Sequence, residues 1–510
     1  MKKIKYLIFS LSLALGFIAC EDAYEIEPLG LLDQEATFFE VEDAQIFLNN
    51  IYRDVNNRNE IAFTSIFTDE VAPSADWNGS NRETHQMILN STNGFAEIIW
   101  LNAHSVINRV NQLLEGVVLI DVEGETPEET AVNQAIINDV IAQGRFLRAY
   151  SYLKLASYFS PDMTDNSALG GILFTHVPES NEVLPRGTNG EIFQLMEEDL
   201  AYAFSNLSSN SENYIYPTKA AAEALQARMY AYRGMYDKAK IHANNVINNY
   251  GISLTEAQPF QLNNFYHASN STNPYRQIWA DIPAGAGYQH EQIFTLRSLL
   301  NGTPAFQPAG IFYQNSTRCT GSPLWSMSYR VHEILSQNPN DVRLFAFVDP
   351  TSNDGACNGG EIMIDKYPGI AGAQLVNSLK LIRLSEMYMI MAEASIAENN
   401  LTAAANYVHA VRQARATEGS VAVPSYAGAT EAWADVLKER RIELFAEGHR
   451  YVDLRRLGAK ANVSIDRDVR DNELPSEATT LPITDHRFTL PIPYAETSVN
   501  PNVVQNPGYN

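Results

Sequence analysis

Three groups of residues in this chain could do chemistry. The first is the segment VLKERRIELFAEGHRYVDLRRLG (436–458), where Glu439, Glu443 and Glu447 alternate with Arg440, Arg441 and Arg450 and adjoin His449. Taken alone, Glu443, Glu447 and His449 would suit a metal site or an acid/base pair. The spacing favours another role: carboxylates and guanidiniums at i, i+3 and i+4 lock a helix and its neighbours through forked hydrogen bonds. We read the array as structural. The second group is aromatic. Trp77 stands in the polar stretch TDEVAPSADWNGSNR with Asp76, Asn78 and Arg82 at hand, and Tyr275, Trp279, Tyr313 and Trp325 (with Tyr329) lie in Gly-, Pro-, Asn- and Ser-rich text. Flat amphipathic rings suit stacking on the C–H faces of sugars while amides and carboxylates read hydroxyl positions. The same rings can also serve loop packing. Trp100 and Trp433 sit on apolar helical patterns and are expected in the core. The third group is the thiols Cys20, Cys319 and Cys357. Cys319 and Cys357 are a candidate disulfide, the alternative being two free thiols; a zinc site would need nearby histidines that are absent from their text.

Catalytic signatures are missing. There is no Walker A loop and no GxSxG elbow, and VHEIL (331–335) lacks the second histidine of HExxH. The stretch Asp349 to Glu361 misses the register of an EF-hand loop. Asp76 with Asp69 or Glu70 is a pairing that any acidic chain offers. We expect no catalytic residue, no metal and no cofactor.

Composition narrows the classes. Of 510 residues, 36 are Lys or Arg and 60 Asp or Glu, a net charge of −24 that disfavours binding to nucleic acid. The chain is 45% apolar, which excludes a disordered chain, and 19% charged, which excludes a multi-span membrane protein. At the N-terminus, Lys2, Lys3 and Lys5 precede an apolar run from Tyr6 to Ile18, then Ala19-Cys20-Glu21-Asp22. This reads as a secretory signal over 1–19, with Cys20 where bacterial lipoprotein signals place the lipidated cysteine.

Helices must position the remaining groups. Apolar residues recur at helical spacing over 41–57, 95–115, 133–159 and 190–207. Two later segments repeat. A shift that lays Ala227 on Ala392 also lays Gly234 on Asn399, Ala239 on Ala404 and Val246 on Val411. Small residue, turn, small residue at this spacing is the pattern of tetratricopeptide (TPR) hairpins, where small side chains let two helices approach closely. The stretch 251–380 has short strand-like runs such as EQIFTLR and EIMIDKY between irregular text, and 461–510 is proline-rich and expected to be extended.

Several stretches resemble the SusD/RagB-like family of outer-membrane nutrient-binding lipoproteins. They are EPLGLLDQEATFFEVEDAQIFLNNIY (27–52), GRFLRAYSYLKLASYF (144–159), LIRLSEMYMIMAEA (381–394), the 436–458 array and LPIPYAETSVNPNVVQNPGY (490–509). The resemblance implies a mainly α fold, a TPR-like helical-hairpin scaffold with a large loop-rich, partly β ligand-binding face. It implies a single body over 20–510: scaffold mainly at 41–250 and 381–458, ligand face mainly at 60–95 and 251–380, extended segment at 461–510. It further implies a lipid-anchored, cell-surface, outer-membrane protein that captures an oligosaccharide or polysaccharide and acts as the lid of a SusC-like TonB-dependent β-barrel transporter. A peptide ligand in the same partnership, or a surface glycoside hydrolase or lyase, is the alternative. The family motifs carry over no ligand-binding residue.

Overall fold

The computed structural model describes residues 37–261, 273–281, 291–297, 323–349, 352, 361–369 and 376–509. Cys20, Tyr313, Cys319 and Cys357 lie outside these residues, so the anchor, one proposed ring and the candidate disulfide are not placed.

The fold is mainly helical. Val41–Asp54, Gly94–Gly116 and Pro127–Phe159 pack together at the amino-terminal end, and Asn189–Asn206 lies against the last of them. Their starts are written locally. Thr126 Oγ1 accepts the Glu129 N–H ahead of Pro127, and Thr188 and Glu191 form a reciprocal capping box. Trp100 and Trp433 are both buried, as their apolar patterns require.

The sequence repeat is a structural repeat. Lys219–Tyr232 and Tyr236–Asn249 form one helical hairpin, and Leu384–Ala397 and Leu401–Arg415 form another that packs against it. Ala227, Ala239, Ala392 and Ala404 are fully buried where the helices meet. The matched turn residues Gly234 and Asn399 both adopt left-handed backbone, with φ of 71° and 58°. Glycine and asparagine tolerate that region best, which explains their alignment in the shifted sequences.

One helix departs from the sequence reading. Arg58–Phe67 is helical and overlaps the start of the stretch 60–95 expected to belong to the ligand face. Every residue from Glu60 to Phe67 is buried, so the helix shows no polar face and no 3.6-residue period.

Three two-stranded antiparallel ladders complete the described chain. β1 (Val71–Pro73) pairs with β5 (Trp325–Met327), β2 (Leu169–Ile172) with β3 (Arg186–Thr188), and β4 (Gln292–Leu296) with β6 (Leu379–Arg383). The first ladder matters most for function. It sets Pro73 opposite Trp325 and so ties the early polar loop to the middle of the chain.

Candidate functional site

The fold encloses a buried network of charges. Helix Ala429–Glu443 and the turn after it supply Glu439, Glu443 and Glu447, whose partners come from elsewhere in the chain. Glu443 accepts from Arg383 at 2.8 Å, Arg415 at 2.8 Å and Arg343 at 3.0 Å. Glu447 takes Arg383 and Lys366, both at 2.7 Å, and Glu439 takes Arg343 at 2.6 Å and Arg412 at 2.7 Å. Burial alone would raise the Glu443 carboxyl, but Arg415 and Arg383 outweigh it and hold it well below the usual range. The array is therefore structural. It locks its own helix to neighbouring elements, with Arg343, Arg383 and Arg415 arriving from elsewhere in the chain.

The same array reaches the polar loop. Arg450 grips Asp69 through two parallel bonds of 2.8 Å, and Arg441 donates to the Asp69 carbonyl at 2.7 Å. Gly448, at φ 87°, allows the sharp bend between the two helices of the array. Next to Asp69, the Glu70 carboxylate accepts from Ser65 Oγ at 2.8 Å and from the Ala446 N–H at 3.2 Å. Burial nevertheless pushes Glu70 up to about 7. The Glu70 carbonyl accepts from the Ser328 N–H, just beyond β5. The loop thus springs from a rigid base.

Trp77 is half-buried on that loop, and Asp76, Asn78 and Arg82 are exposed around it. Its indole N–H donates to the Ser80 carbonyl at 2.9 Å. The Arg82 guanidinium lies 5.2 Å from the ring centroid and is held there by Glu473 at 2.8 Å. Trp325 backs Trp77 at 5.8 Å between ring centroids, and His85 lies 5.3 Å from Trp325. A partly exposed ring, held by a second ring and ringed by polar groups, can offer a C–H-stacking platform.

The other rings are placed differently. Tyr275, Trp279 and Trp325 are each 0% exposed, which corrects the expectation that they stand on an open face. Trp279 packs under Lys366 at 4.2 Å and Arg383 at 5.2 Å, and Tyr275 under Arg415 at 4.6 Å. Their π faces line the charge network, where they stabilise cations already withdrawn from water. Trp325 remains part of the site as the support of Trp77. Tyr329 is half-buried beneath Arg470, 4.2 Å from its ring.

Sequence reasoning missed Glu361. Its side chain lies close enough to Asp76 to feel its charge, and burial raises its carboxyl. Glu361 Oε2 is buried and accepts no hydrogen bond among the described residues. The only sequence signal was its position at the start of the strand-like run EIMIDKY. Among the described residues, no group of three or more His, Cys, Asp and Glu is arranged to hold a metal ion, and no helix is long and apolar enough to cross a membrane.

Comparison with known proteins agrees with this architecture. A SusD family model (SusD_RagB) matches residues 362–509, and a SusD-like model described as "Starch-binding associating with outer membrane" matches residues 33–231. The chain belongs to the SusD family. Among its relatives, SusD-like protein P2 of Formosa agariphila is 24% identical over 99% of this chain and 100% of its own length. A SusD superfamily protein of Bacteroides thetaiotaomicron superposes with a TM-score of 0.73 at 24% identity, over 92% of this chain and 100% of the other. A SusD-like carbohydrate binding protein of Bacteroides vulgatus does so with a TM-score of 0.68 at 18% identity, over 91% and 98%. These likenesses establish a shared fold.

Proposed function

We propose that this SusD-family protein binds an oligosaccharide reversibly, without turnover, on the face that carries the Trp77 loop. The observation that carries the reading is the half-buried Trp77 ring, backed by Trp325 and surrounded by Asp76, Asn78 and Arg82. Such a ring gives a sugar C–H contact, and the exposed amide and charges give its hydroxyls partners. The family description of starch binding and outer-membrane association supports the same reading. In the fuller form of the proposal, Cys20 is acylated, the protein is displayed at the cell surface, and it delivers its ligand to a SusC-like TonB-dependent barrel as that barrel's lid. Isothermal titration against a panel of glycans, with reducing-sugar assays in parallel, tests the core of the reading. Saturable binding with no sugar release is expected. Sugar release would make the protein an enzyme, and binding of peptides with silence across glycans would change the ligand class.

A further inference from the structure

A second cleft, of about 440 Å³, shares no lining residue with the Trp77 loop. Four parts of the chain wall it: residues 161–164, the hairpin turn 231–236, the helix Arg450–Ala461, and residues 483–489, which include the short helical turn His486–Phe488, with Pro507. The walls are fixed to one another. Arg455 donates to the carbonyls of Ser157 (2.9 Å) and Ser160, Tyr451 Oη donates to the Arg487 carbonyl at 2.9 Å, and the Leu490 N–H donates to the Tyr158 carbonyl at 2.8 Å. The volume falls within the usual range of small-ligand sites.

The charge of the lining is unusual for a chain of net charge −24. Arg455 and Lys460 both line the cleft, and neither forms an ion pair among the described residues. Arg455 bonds only to neutral carbonyls. Lys460 is exposed; its Nζ lies 3.1 Å from Tyr236 Oη and 4.9 Å from the Trp433 ring. The other charges in the lining are already engaged. Arg456 pairs with Glu393 and Asp453, and Asp485 takes two bonds of 2.8 Å from Arg487. Asp162 Oδ1 accepts the backbone N–H and hydroxyl of Thr164. Lys460 therefore has no carboxylate at ion-pair distance, Arg455 feels only the more distant charge of Asp162, and both cations share a cleft with the phenols of Tyr232 and Tyr236. Partial burial, and then the neighbouring Arg456, lower the Lys460 ammonium from its ordinary value against the opposing pull of Glu393.

We propose that this cleft is a second ligand site, taking a molecule no larger than a sugar unit or two that carries an oxyanion, either carboxylate or sulfate. Lys460 supplies the mobile point charge, Arg455 a fixed one, and the two tyrosines flank the ligand's body. The site is independent of the glycan reading, since it uses none of the residues around Trp77.

Titration of the full chain with sodium gluconate, sodium sulfate and neutral methyl glucoside tests the proposal. Gluconate and sulfate should bind saturably and methyl glucoside should not. Lys460→Glu should weaken gluconate binding about tenfold or more, and Lys460→Arg should retain it. Lys460 is exposed, so thermal unfolding of both variants should match the parent. Trp77→Ala should leave gluconate binding unchanged. Absence of saturable binding for both anions, equal affinity in Lys460→Glu, or loss of binding in Trp77→Ala would each overturn the proposal. Sulfate binding without gluconate binding would overturn the assignment of a sugar-sized ligand.

Discussion

Glu443 and Arg383 meet at 2.8 Å with neither side chain open to water, although sixty positions separate them in the chain. Arg343 and Arg415 close on the same carboxylate, so one glutamate holds three cations from three elements together. Removing it leaves those cations buried with fewer partners. Glu443→Ala should cost ~3–5 kcal/mol of folding stability, measured by chemical denaturation. A normal midpoint combined with lost ligand binding would instead place the array in a binding site.

Glu70 should make stability depend on pH in the opposite sense to its salt-bridged neighbours. Its folded carboxyl is raised to about 7 from an ordinary 4.5, so the folded state keeps a proton that the unfolded state releases. The resulting stabilisation is fully present below about 4.5 and is lost as pH rises through about 7. Glu70→Gln retains an oxygen for the Ala446 N–H and removes the titration. It should be more stable than the parent by roughly 3 kcal/mol at pH 8 and equal to it at pH 4. Denaturant melts across that range decide the matter, and parallel pH profiles would exonerate Glu70.

Trp77 and Trp325 should respond differently to truncation despite being neighbours. Trp77→Ala removes a partly exposed ring and should weaken glycan binding by ~1–3 kcal/mol with little change in thermal stability. Trp325→Ala opens a cavity at a fully buried position and should cost ~3–5 kcal/mol of stability. Paired calorimetry and thermal unfolding separate the two effects. Unchanged affinity in Trp77→Ala would show that the ligand sits elsewhere on the face.

The two hairpin turns give a matched test of backbone strain. Gly234 has room for a methyl group, with the nearest atom, on Thr164, 3.5 Å away, so only its left-handed backbone opposes one. Gly234→Ala should cost ~1–2 kcal/mol, whereas Asn399→Gly should be neutral or slightly stabilising. Equal effects of the two changes on the unfolding midpoint would contradict this account.

Location can be tested at Cys20. Cys20→Ala should move the protein from the detergent phase to the aqueous phase on Triton X-114 partitioning of whole cells. Persistent detergent partitioning would remove acylation from the proposal.

The helical scaffold was legible because its signal is periodic. Ala227, Gly234 and Ala239 recur as Ala392, Asn399 and Ala404: the close approach of two helices dictates residue size at the alanines, and left-handed backbone selects Gly and Asn at the turns. The array at 436–458 was legible as structural, but its partners were not. Asp69, Arg343, Arg383 and Arg415 lie far off in sequence, and pairwise spacing says nothing about which distant charge arrives. Trp279 was misjudged because the text around it is polar. Its ring is buried by Lys366 and Arg383, residues whose own burial depends on the network. The half-buried setting of Trp77 comes from a loop that folds locally, with its indole satisfied three residues on.

The bond between Asp69 and Arg450 spans 381 positions, and that span carries a consequence for how the protein is made. A chain that leaves the ribosome amino end first presents Asp69 long before the arginine that neutralises it. Sealing the early helices around an unpaired carboxylate would cost several kcal/mol, so the amino-terminal half is expected to close fully only once the far end is delivered. A product that ends before Arg450 should therefore expose its interior to protease more readily than the finished chain, which can close on itself.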